Sequence, residues 1–177
     1  MADLPGLIEG AHANIGMGHA FLKHVERTSL LLMIIDIFGF QLSPSHTKRN
    51  CIENIFALNK ELELYDKTLL DKPCVLLINK MDMNGSNEEY LRYQKCFENL
   101  SEGLEHCPDE LKPTTLLKFE QIIPISAKNN QEIDKVKVAL RRILDLEVKQ
   151  QQFEETINEN PNEKILQKLR ERGPKVF

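Results

Sequence analysis

The chain has 177 residues, 41% of them hydrophobic and 28% charged, with a formal net charge of −4. That is the balance of one folded globular domain, not of a disordered segment. The basic residues are dispersed, so no basic face marks autonomous DNA or RNA binding, and no apolar run reaches the roughly 18–20 residues of a membrane span.

The chain opens on Met1-Ala2-Asp3-Leu4-Pro5-Gly6, which carries no secretory or transit pattern and predicts an intracellular protein. Gly6, Gly10, Gly16 and Gly18 follow in a stretch with little periodicity, which predicts a loop. A helix is expected from near His19 to Arg27. Leu30 to Asp36 is a continuous apolar run, as in a strand covered on both faces. Ile52, Ile55, Phe56, Leu62, Tyr65 and Leu69 then recur at helical spacing. Cys74 to Asn79 repeats the strand pattern, and Tyr90, Phe97, Leu100 and Leu104 the helical one. Gln121 to Ser126 is a third strand, and Pro124 suits it to a sheet edge. Ile133, Val136, Leu140, Ile143 and Leu144 mark another amphipathic helix. From Val148 the stripe fades into a polar stretch. A last helix is expected from Asn160, with Pro161 at its first position and Glu163 completing a capping box, ending at Gly173-Pro174. The four cysteines (Cys51, Cys74, Cys96, Cys107) lack CxxC spacing and read as reduced, mostly buried thiols. The alternation of strand and helix predicts parallel strands joined by right-handed crossovers, an α/β fold.

Three short motifs fall at the ends of these strands or just ahead of the first. Asn79-Lys80-Met81-Asp82 follows the second strand, where an open α/β sheet binds its ligands. A carboxylate there can accept two hydrogen bonds from guanine, from N1–H and the 2-amino group, a donor pair adenine does not present. The Lys stem can lie over the ring. Ser126-Ala127-Lys128 follows the third strand, and its small residues would let backbone N–H groups approach the guanine carbonyl. Asp3-Leu4-Pro5-Gly6 offers an Asp for a Mg²⁺-bound water and a Gly N–H for a phosphate oxygen. Each alone also reads as an ordinary turn, the second with Asn129 or Asn130 capping the following helix.

In this order the three match the third, fourth and fifth signature motifs of P-loop GTPases. The surrounding text, from Asp3-Leu4-Pro5-Gly6-Leu7-Ile8-Glu9-Gly10 through Gly16-Met17-Gly18-His19 and Phe21 to Thr28, resembles the switch II segment of the Obg family. Glu61 to Tyr65, Lys72-Pro73 and Asn79 to Asp82 resemble that family's running sequence too, and the smaller of its animal members most of all. The resemblance covers residues 1 to 146. It implies a protein that binds GTP and GDP with Mg²⁺, hydrolyses GTP slowly, and assists assembly of the large ribosomal subunit in the nucleolus or mitochondrion. By resemblance Asn79, Lys80, Asp82, Ser126, Ala127 and Lys128 form the guanine pocket, while Asp3 and Gly6 sense Mg²⁺ and the γ-phosphate. Leu7 stands where Ras-like GTPases place a water-positioning Gln, and no residue is assigned as catalytic.

The sequence contains no GxxxxGK[ST], the loop that cradles the polyphosphate. The expectation is therefore a partial, three-layer P-loop GTPase fold without the phosphate-loop strand and helix, inactive alone. Residues 1–147 would form the nucleotide domain and 148–177 a polar tail with a short helix. Leu30–Asp36 would keep an open apolar edge. An alternative is a nucleotide-independent module that docks on a protein or ribosomal particle. A metal-dependent hydrolase using His12, His19 and His24 is disfavoured by their spacing and the lack of HExxH.

Overall fold

The computed structural model describes residues 28–41 and 47–159. Asp3, Gly6, Leu7, the glycine-rich stretch, His12, His19 and His24, and the helices expected at His19–Arg27 and from Asn160 all lie outside the described residues.

Three strands form a parallel sheet in the order β1-β2-β3. They are β1 (Leu31–Asp36), β2 (Cys74–Asn79) and β3 (Phe119–Pro124). The first pair runs in register from Leu31↔Cys74 to Asp36↔Asn79. The second runs from Val75↔Gln121 to Ile78↔Pro124, with an irregularity between Cys74 and Val75. Among the described strands only β2 has a neighbour on both sides, and its first five residues are buried on both faces, as its unbroken apolar run requires. β3 takes an outer position and ends on Pro124, where a missing N–H costs the ladder nothing. β1 is the other outer strand of the described sheet, and Ile34 on it is 54% exposed.

Helix α1 (Cys51–Tyr65) connects β1 to β2. Its start is set by a capping box: the Asn50 side chain accepts from Glu53 N–H at 2.9 Å, and the Asn50 N–H donates to the Glu53 carboxylate at 2.8 Å. The apolar spacing suggests a helix running on to Leu69, but α1 stops at Tyr65. Asp66 is extended there and its side chain accepts from Thr68 N–H, opening a separate 3-10 turn over Lys67–Asp71. The next helical stretch is likewise two pieces, α2 (Ser86–Glu98) and α3 (Leu100–Leu104), divided where the Asn99 side chain caps Ser101 N–H. After a 3-10 turn at Asp109–Leu111 comes β3, and then α4 (Ile133–Glu159). α4 begins three residues past Asn130, so neither Asn129 nor Asn130 caps it.

One sheet face is packed by Leu31, Met33 and Ile35 of β1 and Cys74, Leu76 and Ile78 of β2, in one apolar cluster with Ile52, Ile55 and Phe56 of α1. Phe56 and Ile55 are fully buried, each stabilising the fold by about 1.5–3 kcal/mol. Val75 and Leu77 alternate onto the opposite face and are buried as well. The chain divides into two compact units, one ending at Ala139 and one starting at Leu140, within α4. All three strands and the loops at their carboxyl ends belong to the first. This is an α/β fold built on a parallel sheet.

Candidate functional site

The carboxyl ends of the three parallel strands present Asp36, Asn79 and the Ile125-Ser126 turn side by side. Backbone bonds lock the two loops that follow β2 and β3: Ile125 N–H donates to Ile78 O at 2.8 Å and Met81 N–H to Ile125 O at 3.1 Å. Side chains then cross between the same loops. The Asn79 Oδ1 accepts from Ala127 N–H at 3.0 Å, and the Ser126 hydroxyl donates to Asp82 Oδ1 at 2.6 Å. Ser126 is itself fully buried and accepts from Asn129 N–H at 3.2 Å. Its backbone exchanges two hydrogen bonds with Gln131, closing a narrow turn over Ala127, Lys128, Asn129 and Asn130.

Asp82 is ionised with ease. The Ser126 hydroxyl holds its carboxyl below the usual range, and the positive charges of Lys128 and Lys80 act in the same direction. Its second oxygen, Oδ2, has no side-chain partner among the described residues. Lys80 adopts a left-handed backbone, φ 71°, a conformation uncommon for a residue with a Cβ. Its ammonium pairs with Asp36 Oδ2 at 2.6 Å, while Asp36 Oδ1 accepts from Phe38 N–H at 3.0 Å. Asn79, Lys80, Asp82, Ser126, Ala127 and Lys128 therefore lie in one place.

Sequence reasoning missed three participants. Asp36 was legible only as a strand end. Ser86 is buried at the start of α2 and donates its hydroxyl to Met81 O at 2.8 Å, bracing the loop from behind. Gln131 closes the turn after Ser126 through backbone alone, which leaves no mark in the sequence. A cavity of about 390 Å³ lies beside β3, bordered by Gln121, Ile123, Pro124, Gln131 and Lys135. It contains none of the six expected site residues. The strand ends are the stronger candidate. Among the described residues no cluster of three or more His, Cys, Asp or Glu side chains fits a metal ion, and no helix is long and apolar enough to cross a membrane. Cys51, Cys74 and Cys107 are buried and unpaired, and Cys96 is half-buried. Burial pushes the Cys51 and Cys74 thiols up to about 12, too high for a reactive thiolate.

A family profile described as "50S ribosome-binding GTPase" matches residues 1–80. GTP-binding protein 10 homolog of Drosophila melanogaster is 53% identical over 176 residues, covering 99% of this chain and 45% of that protein. GTP-binding protein 10 of Homo sapiens is 45% identical over 152 residues, 85% of this chain and 39% of the other. GTPase Obg of Alkaliphilus metalliredigens is 36% identical over 159 residues, 88% and 32% respectively. The chain belongs to the Obg family of GTPases. It spans less than half the length of these relatives.

Proposed function

We propose that this chain binds guanine nucleotides, with the base held at the carboxyl ends of β2 and β3. Asp82 reads N1–H and the 2-amino group, the Lys80 stem lies over the ring, and the turn Ser126-Ala127-Lys128 offers the base carbonyl its Lys128 N–H, because the Ser126 and Ala127 N–H groups donate to Gln131 O and Asn79 Oδ1. Asn79 spaces the two loops. The observation that carries this reading is the pair of cross-loop bonds, Asn79 to Ala127 and Ser126 to Asp82. They hold a carboxylate beside the turn that carries the Lys128 N–H, which has no acceptor among the described residues, with no ligand needed to assemble the two loops; this lowers the ordering cost of binding.

Asp3 and Gly6 complete the reading as the Mg²⁺ and γ-phosphate sensors. Among the described residues no group of three or more His, Cys, Asp or Glu side chains fits Mg²⁺. These 177 residues carry no GxxxxGK[ST], and we assign them base recognition, with residues 1–147 as the nucleotide domain and 148–177 as an appended tail. In the same reading, the protein acts on the large ribosomal subunit or its precursor, in keeping with the family profile's description.

Titration with fluorescent GDP, with ATP as control, tests base recognition. A dissociation constant of ~1 mM corresponds to about −4 kcal/mol, within reach of base contacts alone. Asp82→Asn should shift preference from guanine toward xanthine nucleotides, because the 2-oxo group of xanthine needs a donor. An unchanged preference in a folded variant would remove Asp82 from the site. Cosedimentation with large ribosomal subunits, with and without GDP, separates a nucleotide-responsive protein from a passive docking module.

A further inference from the structure

The loop that carries Asp82 contains the one Asn-Gly step in the sequence, Asn84-Gly85. Both residues are exposed. Gly85 has φ 82° and ψ −2° and sits at the third position of a tight turn, closed by Ser86 N–H to Met83 O at 3.1 Å. The backbone N–H of Gly85 donates to no acceptor among the described residues. With no Cβ on Gly85 to obstruct it, that nitrogen can swing toward the side-chain amide of Asn84. Other asparagines lack this combination. Asn54 and Asn59 lie inside α1 and Asn87 inside α2, while Asn79 and Asn99 are followed by Lys80 and Leu100.

We infer that Asn84-Gly85 is a self-modification site, at which deamidation of Asn84 disables the Asp82 loop. The Gly85 nitrogen loses its proton to base and attacks Asn84 Cγ. The new C–N bond expels ammonia and leaves a cyclic imide. Water then opens the imide at either carbonyl, giving an aspartyl or an isoaspartyl linkage. Both add a negative charge two residues from Asp82, and the isoaspartyl form also inserts a methylene into the main chain. That chain is clamped on both sides of Asn84. Ser86 bonds Met81 O through its hydroxyl and Met83 O through its N–H, and Met83 N–H bonds Lys80 O at 3.1 Å. An extra atom between such clamps displaces Met81 to Asp82 relative to Ser126. The consequence for base recognition rests on the reading of Asp82 given above; the modification itself does not.

The test is to age the purified chain in neutral and alkaline buffer, with and without GDP, and follow each asparagine by peptide mass spectrometry and isoaspartyl methyltransferase labelling. The Asn84 peptide should convert roughly tenfold or more faster than the Asn99 peptide, given the freedom Gly lends the attacking nitrogen, and faster in alkali. Asn84→Gln should abolish the labelling. Conversion of Asn84 no faster than that of Asn99 overturns the inference. Bound GDP should slow conversion, and the aged chain should bind it roughly tenfold more weakly, the change expected for about 1.4 kcal/mol. Rapid conversion that GDP leaves untouched keeps the modification site and counts against Asp82 as the base reader.

Discussion

Asn59 offers the sharpest test of how the fold sets the site. It is fully buried in the apolar stripe of α1, yet it is bonded to a segment more than fifty residues on. Its Nδ2 donates to Thr115 O at 2.9 Å and its Oδ1 accepts from Leu117 N–H at 2.8 Å. One turn further along α1, the Glu63 carboxylate accepts from Thr114 N–H at 2.7 Å. Asn59→Ala removes both Asn59 bonds. Thr115 is exposed, so its carbonyl can turn to water at a cost of about 0.5–1.5 kcal/mol. Leu117 is buried, and its stranded N–H costs about 1–3 kcal/mol. Together these predict a loss of about 3 kcal/mol, or ~6–12 °C in Tm at this chain length. Urea unfolding followed by circular dichroism measures the first and a thermal melt the second. A loss under ~1 kcal/mol would show that 114–117 is held by something else, and the path from α1 to β3 would have to be redrawn.

Gly103 in α3 should not tolerate a side chain. A Cβ there would meet Ile52 Cγ2 at 2.8 Å and the Phe56 ring at 3.2 Å. Both neighbours are core residues with no room to yield, so Gly103→Ala should lose about 1–3 kcal/mol in the same unfolding assay. The pH profile of GDP affinity checks Asp82. Its folded-state carboxyl is depressed, so the stabilisation from its ionised form is present above the ordinary carboxylate value of about 3.9 and is lost only as pH falls through the lower folded value. Affinity should then be flat from neutrality down to about pH 5. A decline centred near neutrality would assign the reading of the base to a histidine or another group.

Much of the fold was legible because its central strand is buried on both faces. Cys74–Asn79 could be bounded to the residue, since a central parallel strand has no polar positions to blur it. The ends of helices were harder. Leu69 keeps the helical spacing of Leu62 and Tyr65, and it is more buried than either, yet it belongs to a 3-10 turn. Periodicity reports which face is apolar, while Asp66 decides where the helix stops, by bonding its own side chain to Thr68 N–H. The same applies at Asn99. Short polar side chains that bond nearby backbone override a pattern that hydrophobic spacing alone would extend.

The candidate site divides along a similar line. Asn79, Asp82 and Ser126 were legible because strand ends concentrate polar residues and their chemistry suits a base edge. What the sequence could not show is that these residues are bonded to one another across a gap of more than forty positions. Ser126 is buried, and only that burial makes its hydroxyl a fixed donor to Asp82. The position of Ser126 depends in turn on β3, whose approach is held by Asn59 and Glu63 on a helix that touches none of the six site residues in their hydrogen-bond pattern. A substitution in α1 should thus loosen base recognition through β3, while a substitution at Asn79 or Ser126 should do so directly with little change in global stability. Comparing the two classes by affinity and unfolding free energy together separates a pocket built by its own loops from one that the core holds in place.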